Sequence, residues 1–209
     1  MAKNSLVLNG INLEIKSGEV VGILGKNGCG KSTLAKAICG ILPYVKEGEI
    51  MLRERSLLSL KTHTIARQGI GYFQQGGRIF PNLTGYENLT FAAGNLKKDE
   101  AEKRIKELTE WIGLLQKSHR LKLKSSYLSG GEKHQLALAM VLLKEPLFLI
   151  LDEPSAGLSP GNQTAIYAIL EKIRHEKKTT MMLIEQNVKL AKEFTGNILV
   201  MENGKFDNN

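Results

Sequence analysis

A glycine-rich stretch near the start of the sequence, residues 25–32, has the residue types and the spacing that bind phosphate groups. It reads GKNGCGKS and fits the pattern GxxxxGK[ST], between an apolar run and a stretch with helical spacing. Glycines let successive backbone N–H groups turn inward around an anion, and the helix N-terminus that follows adds a partial positive charge. We predict a nucleotide phosphate loop in which Lys31 contacts the β- and γ-phosphates and the Ser32 hydroxyl ligates Mg²⁺. The other residues predicted to line the loop are Gly25, Asn27, Gly28, Cys29, Gly30 and Thr33.

A pair of acids, Asp152 and Glu153, follows the apolar run 147–151. Ligands of α/β proteins bind beyond the carboxyl ends of the strands, so both acids are placed for chemistry. Asp152 is predicted to hold Mg²⁺ through its water shell, because hard cations prefer oxygen ligands. Glu153 is predicted to polarise the attacking water. A chance glycine-rich turn and a pair of helix N-cap acids are the alternatives, but the two motifs together favour hydrolysis of MgATP.

Secondary-structure signals predict the elements that position these residues. Short apolar runs predict strands at 19–24, 48–52, 69–73, 147–151 and 179–184, and residues 6–15 read as a further strand. Helical spacing predicts helices at 31–42, 99–112, 131–143 and 162–177. Asn203-Gly204 predicts a hairpin turn between residues 198–201 and 205–206.

This alternation of apolar strands and helices predicts an α/β fold with a mostly parallel sheet covered on both faces, plus a small antiparallel β part. Residues 76–139 are mostly helical by the same signals. We therefore predict a helical subdomain there, inserted in a single domain that spans residues 1–209.

The composition argues against several classes of protein. No apolar run approaches the roughly 18 residues that cross a bilayer, and no signal peptide opens the chain, so we expect a soluble protein that reaches a membrane only through a partner. The net charge is +8, yet the basic residues form small scattered clusters typical of solvated helix faces, and we expect no nucleic acid as partner. Two cysteines give no disulfide framework, which favours a reducing compartment.

Residues 128–132, LSGGE, closely resemble the LSGGQ signature of ABC ATPases and precede a predicted helix. With the phosphate loop and the acid pair, the resemblance covers nearly the whole chain and implies a P-loop NTPase fold. Glu132 stands where the signature usually has glutamine. The resemblance implies that Ser129, Gly130 and Gly131 contact the γ-phosphate of an ATP held by a second ABC ATPase subunit. Each ATP site would then be composite, and a monomer would hydrolyse poorly.

Two glutamines complete the site that the resemblance implies. Gln75 matches the glutamine that touches Mg²⁺ or the water and senses the transporter, although its neighbour Gln74 is an alternative. Gln186 stands where ABC ATPases typically have a histidine, at the end of the strand that follows the segment 155–160, and it is expected to contact the γ-phosphate. Glutamine donates a hydrogen bond but carries no charge.

Several segments resemble the branched-chain amino acid transporter ATPases in particular: residues 77–84, 87–89, 153–160 and 185–187. This implies an ATPase subunit of an amino-acid importer, cytoplasmic and peripheral on the inner face of the cell membrane, bound to transmembrane permease subunits. The second ATPase could be identical or different. A soluble non-transport ABC ATPase and a nucleotide-binding regulatory module with little turnover are the alternatives.

Compared with that family, the chain reads as shortened at both ends, and no aromatic residue precedes the phosphate loop to stack on adenine.

Overall fold

The computed structural model describes residues 7–42, 45, 47–94 and 96–207. The chain divides into two compact units. The first consists of Met1–Tyr72, Phe148–Asp152 and Thr180–Asn209, and the second of Phe73–Leu147 and Glu153–Thr179. The predicted helical insertion, 76–139, falls within the second unit, which extends beyond it. Among the described residues, no helix is both long and apolar enough to cross a membrane.

Eight strands are present in the described part of the chain: β1 (Val20–Leu24), β2 (Met51–Leu52), β3 (Arg55–Ser56), β4 (Ile70–Phe73), β5 (Phe148–Asp152), β6 (Thr180–Glu185), β7 (Asn197–Glu202) and β8 (Lys205–Phe206). The helices there are α1 (Lys31–Ile38), α2 (Thr62–Arg67), α3 (Gly85–Ala93), α4 (Lys98–Thr109), α5 (Ser118–Leu121), α6 (Gly130–Leu142), α7 (Pro160–Lys177) and α8 (Val188–Phe194), with a 3₁₀ turn at Ser125–Tyr127.

A six-stranded sheet has the order β4-β5-β6-β1-β7-β8, and β2 and β3 form a separate antiparallel pair. Strand β1 pairs in parallel with β6 and β7, and β5 pairs in parallel with β6. Their registers, Leu24 beside Glu185 and Asp152 beside Ile184, bring the carboxyl ends of β1, β5 and β6 to one edge. This arrangement confirms the predicted parallel sheet with a small antiparallel part.

The central strands are buried because both faces of the sheet are covered. Every residue of β1 and β5 is buried, as is all of β6 except Thr180. Near-continuous apolar runs of this kind are typical of parallel sheets. The core of the first unit packs Ile23 and Ile150 from the sheet against Leu34 of α1 and Ile65 of α2. The loop between β1 and α1 therefore connects two elements of this core.

The second unit is built from helices whose first turns are capped by side chains. Thr84 and Glu87 form a reciprocal capping box at α3, and Ser129 and Glu132 form another at α6. Each box satisfies two N–H groups that a helix start leaves without intrahelical partners. The core of this unit includes fully buried leucines such as Leu89 of α3 and Leu136 of α6.

The structure corrects one predicted strand. Residues 7–15 contain no strand, and residue 6 lies outside the described residues. Gly10 has a left-handed φ of 67°, which breaks an extended conformation, although Asn9 N donates to Gly204 O at 2.9 Å. The predicted helix 31–42 ends earlier, at Ile38, followed by the left-handed Gly40 with φ 63°. The predicted hairpin is confirmed: Asn203 and Gly204 both have positive φ between β7 and β8.

Candidate active site

The loop between β1 and α1 has the backbone that an anion cradle requires. Gly25, Gly28 and Gly30 have φ angles of 157°, 80° and 116°, which residues with a Cβ rarely adopt. A Cβ on Gly25 would collide with the carbonyl oxygen of Met201 on β7. Gly30 is the N-cap of α1 and contributes no side-chain cap, so no side chain competes there with an anion.

Lys31 begins α1 and is only 4% exposed. Its Nζ donates to the carbonyl oxygens of Gly25 at 2.7 Å and Lys26 at 3.0 Å. A buried ammonium needs such partners, and here they belong to the loop itself. The amine is thus held inside the cradle, where phosphate oxygens would be stronger partners than carbonyls. Cys29 is half-buried with its Sγ 3.9 Å from the same Nζ.

Ser32 and Asp152 meet at the carboxyl edge of the sheet. Ser32 Oγ donates to Asp152 Oδ1 at 3.0 Å, and Tyr72 OH donates to Asp152 Oδ2 at 2.9 Å. The aspartate ends β5 and is 2% exposed. A hydroxyl and a carboxylate are the oxygen donors that Mg²⁺ takes from a protein beside a nucleotide, so these residues fit that ion. Tyr72 was not predicted from the sequence.

Glu153, the first residue after β5 within the second unit, combines burial with an unusual backbone. It is 7% exposed and has a φ of 49°, a left-handed value for a residue with a long side chain. Such conformations persist where the surroundings impose them, often at functional sites. Gln75 Nε2 donates to Glu153 Oε2 at 2.6 Å.

The two adjacent glutamines have different partners. Gln74 Oε1 accepts from Arg78 Nε at 3.0 Å. The hydrogen bond from Gln75 to Glu153 agrees with the choice of Gln75 as the candidate glutamine of the site.

The signature residues open helix α6. Ser129 is its N-cap and accepts a hydrogen bond from Glu132 N at 3.3 Å, while Glu132 Oε2 accepts from Ser129 N at 2.9 Å. Ser129 and Gly130 are exposed, as a contact with another subunit would need. Gly131 is buried, and a Cβ there would collide with the side chain of Asn162.

Arg120 holds the carboxylate of Glu132 with two hydrogen bonds. Arg120 Nε donates to Oε1 at 3.0 Å and Nη2 donates to Oε2 at 2.6 Å. The guanidinium, together with the cap at Ser129, lowers the pKa of Glu132 to about 2.

Gln186 follows β6 directly and lies at the same edge of the sheet as Asp152. Its side chain is exposed, and its backbone N donates to Glu185 Oε2 at 3.2 Å. The four histidines, His63, His119, His134 and His175, all lie in helices instead. Asn27 and Gly28 are exposed and Thr33 is half-buried in the first turn of α1.

Comparison with known proteins places this arrangement in a family. Residues 8–156 match the ABC transporter family. The chain is 37% identical to the probable branched-chain amino acid transport ATP-binding protein LivF of Archaeoglobus fulgidus, over 95% of this chain and 83% of that protein. It is 35% identical to the high-affinity branched-chain amino acid transport ATP-binding protein BraG of Pseudomonas aeruginosa, with the same coverage of 95% and 83%.

The names of other relatives refer to the transport of different substrates. The methionine import ATP-binding protein MetN of Clostridioides difficile is 32% identical over 95% of this chain and 62% of that protein. The lipoprotein-releasing system ATP-binding protein LolD of Saccharophagus degradans is 32% identical over 88% and 82%.

Solved structures share the fold. A bacterial ABC transporter cassette solved as a dimer superposes with a TM-score of 0.86 at 26% identity, covering 100% of this chain and 92% of that one. The CbiO1 protein of Clostridium perfringens, described as part of the ABC transporter complex CbiONQ, superposes with a TM-score of 0.83 at 32% identity, covering 96% and 80%.

Proposed function

Since the chain belongs to the ABC transporter family and is an ATPase of that family, we propose that it energises a membrane importer for amino acids of the branched-chain type. The observation that carries the role of ATP hydrolysis in this proposal is the group at one edge of the sheet in the first unit: the loop that encloses Lys31, and the contact between Ser32 and Asp152.

We assign a separate role in phosphoryl transfer from ATP to water to each residue of the candidate site. Lys31 would exchange its two carbonyl partners for oxygens of the β- and γ-phosphates. Ser32 and Asp152 would hold Mg²⁺, which would neutralise charge on the phosphates. Glu153 would polarise the attacking water, and Gln75 would orient its carboxylate through their hydrogen bond. Gln186 would donate a hydrogen bond to the γ-phosphate.

Two subunits would close head-to-tail around two ATP molecules. The exposed Ser129 and Gly130, with the backbone of Gly131, would contact the γ-phosphate in the second subunit. The family resemblance to cassettes solved as dimers supports this arrangement. Specific ATPase activity should then rise with protein concentration.

A surface in the second unit fits a permease partner. Phe80 and Phe91 form an edge-to-face pair with ring centroids 4.5 Å apart, and Phe91 is 63% exposed. The segment that leads there from Gln75 contains Gly76 and Gly77, both with positive φ. Exposed aromatic pairs next to polar surface are typical of protein interaction sites. Docking of a transmembrane subunit here would place the protein on the cytoplasmic face of the cell membrane.

The proposed cargo, branched-chain amino acids, rests on the two branched-chain relatives and on the segments that resemble branched-chain transporter ATPases. The alternatives are the cargoes named for the methionine and lipoprotein relatives, which are less identical to this chain. Uptake of radiolabelled leucine and methionine by cells that lack the protein, complemented with wild type or Glu153→Gln, tests it. We expect only the wild type to restore leucine uptake. Restoration of methionine uptake alone would contradict the proposed cargo.

A nucleotide-binding regulatory module is the second candidate, favoured by Gln186 in place of histidine. It predicts ATP binding with the same negligible turnover in wild type and Glu153→Gln.

A further inference from the structure

Helix α6, which carries the signature residues, has a carboxylate in its first turn. Glu132 is the third residue of the helix, and its Oε2 accepts from Ser129 N at 2.9 Å. A negative charge there stabilises the helix itself, because it faces the positive end of the helix dipole. Under the proposed function, however, the same helix end meets the γ-phosphate of an ATP bound by the second subunit. Two anions would then share one helix N-terminus, and their repulsion opposes closure of the dimer.

Arg120 supplies the opposite charge at this position. Its guanidinium contacts both carboxylate oxygens of Glu132, at 3.0 and 2.6 Å, and Nη2 also donates to Tyr127 O at 3.2 Å. Both side chains are partly buried, with 27% and 15% of their surfaces exposed. The bidentate geometry fixes the guanidinium relative to the start of α6.

Protonation does not remove the charge of Glu132 at neutral pH, because the ordinary pKa of a glutamate is already near 4.5 and the hydrogen bonds from Arg120 lower it further, to about 2. Neutralisation must therefore come from a neighbouring cation.

A second capping box among the described residues indicates that a cap of this kind forms without an arginine. At α3, Thr84 and Glu87 form the same reciprocal hydrogen bonds, at 2.7 and 3.1 Å. Among the described residues, Glu87 makes no ion pair with an arginine or lysine. A capping box made of threonine and glutamate thus forms at α3 without an arginine. We therefore look for a role of Arg120 at α6 other than forming the cap.

We propose that Arg120 is a positioning residue for ATP recognition across the dimer. It neutralises Glu132 so that the N-terminus of α6 keeps its attraction for the γ-phosphate held by the partner subunit. This inference rests on the proposed function, in which Ser129, Gly130 and Gly131 contact that phosphate.

The test is a double-mutant cycle in a Glu153→Gln background, which is expected to bind ATP without turnover. The four proteins are the Glu153→Gln parent, the parent with Arg120→Ala, the parent with Glu132→Gln, and the parent with both. Sedimentation equilibrium with ATP measures the monomer–dimer constant of each, and thermal unfolding checks that each is folded. Should Arg120→Ala fail to fold, Arg120→Gln takes its place.

We expect Arg120→Ala to weaken the ATP-dependent dimer by about tenfold or more, because the uncompensated carboxylate repels the phosphate at both sites of the dimer. Adding Glu132→Gln should restore the affinity, since it removes the charge that Arg120 neutralises. Arg104→Ala is the matched control. Arg104 is equally well bonded, to Glu100 at 2.6 Å and to Leu143 O at 2.7 Å, but contacts the other end of α6.

Two results would overturn this inference and leave the proposed function intact. One is an Arg120→Ala dimer as tight as that of the parent. The other is a loss of dimer affinity in Arg120→Ala that Glu132→Gln does not restore, which would make the role of Arg120 merely structural. A folded parent that never dimerises with ATP would contradict the proposed function, and the inference with it.

Discussion

The hydrogen bond from Tyr72 to Asp152 gives a prediction whose size follows from the structure. Tyr72→Phe removes only the hydroxyl, which donates to Oδ2 of the aspartate at 2.9 Å. Asp152 is 2% exposed, so water cannot readily replace the lost donor. Hydrogen bonds to charged groups contribute about 1.5–3 kcal/mol to the free energy of unfolding.

For a protein of this size, a loss of 1 kcal/mol lowers the melting temperature by roughly 2–4 °C. We therefore expect Tyr72→Phe to melt about 3–12 °C below the wild type, without nucleotide or Mg²⁺. Circular dichroism during heating measures the difference, after a check that unfolding is two-state. Tyr127→Phe is the matched control, because that ring is 70% exposed and the same hydroxyl is lost there. Equal melting temperatures for the two variants would show that the hydrogen bond from Tyr72 to Asp152 does not stabilise the fold.

Three further predictions concern the other site groups. Gln75→Ala removes a 2.6 Å hydrogen bond to Glu153, so the turnover number should fall roughly tenfold or more in steady-state assays; a larger loss in Gln74→Ala would contradict the assignment. Gly25→Ala forces a Cβ against a carbonyl of β7 and should lower the free energy of unfolding by about 1–3 kcal/mol in urea; an unchanged midpoint would refute the close approach. The pKa of Glu132 is lowered to about 2 in the folded protein, whereas the ordinary pKa of the side chain in the unfolded chain is near 4.5. The charged carboxylate therefore stabilises the fold at pH values above 4.5, and this stabilisation is lost as the pH falls toward 2. Wild type should therefore lose more stability than Glu132→Gln between pH 7 and 3 in urea titrations; parallel losses would contradict the ion-pair account.

The parts of the candidate site that the sequence predicts are those made by neighbouring residues. The predicted phosphate loop depends on glycines and a lysine close together in the sequence, and in the structure Lys31 Nζ donates to the carbonyl oxygen of Gly25 in that loop. The acids at the end of β5 follow from one apolar run, and the hairpin at Asn203-Gly204 from one dipeptide. Local backbone preferences determine all three, so a pattern in the sequence predicts them.

Contacts between distant segments were harder to predict. Tyr72 lies 80 residues from Asp152, and only the folded sheet brings the hydroxyl to the carboxylate. The spacing of Ser129 and Glu132 is a recognisable capping signal, but nothing in the sequence pairs Arg120 with that glutamate. The strand predicted at 6–15 is wrong over residues 7–15, which contain no strand, because Gly10 has a left-handed φ and turns the chain there.

Steady-state ATPase activity against protein concentration, for wild type and Glu153→Gln, tests the proposed composite ATP site and the role of Glu153 together. We expect the specific activity of the wild type to rise with concentration, because each proposed site needs a second subunit. We expect the variant to lose turnover while it still binds ATP. Equal turnover in the two proteins would contradict the assignment of Glu153, and a specific activity independent of concentration, in a protein shown to be monomeric, would contradict the composite site.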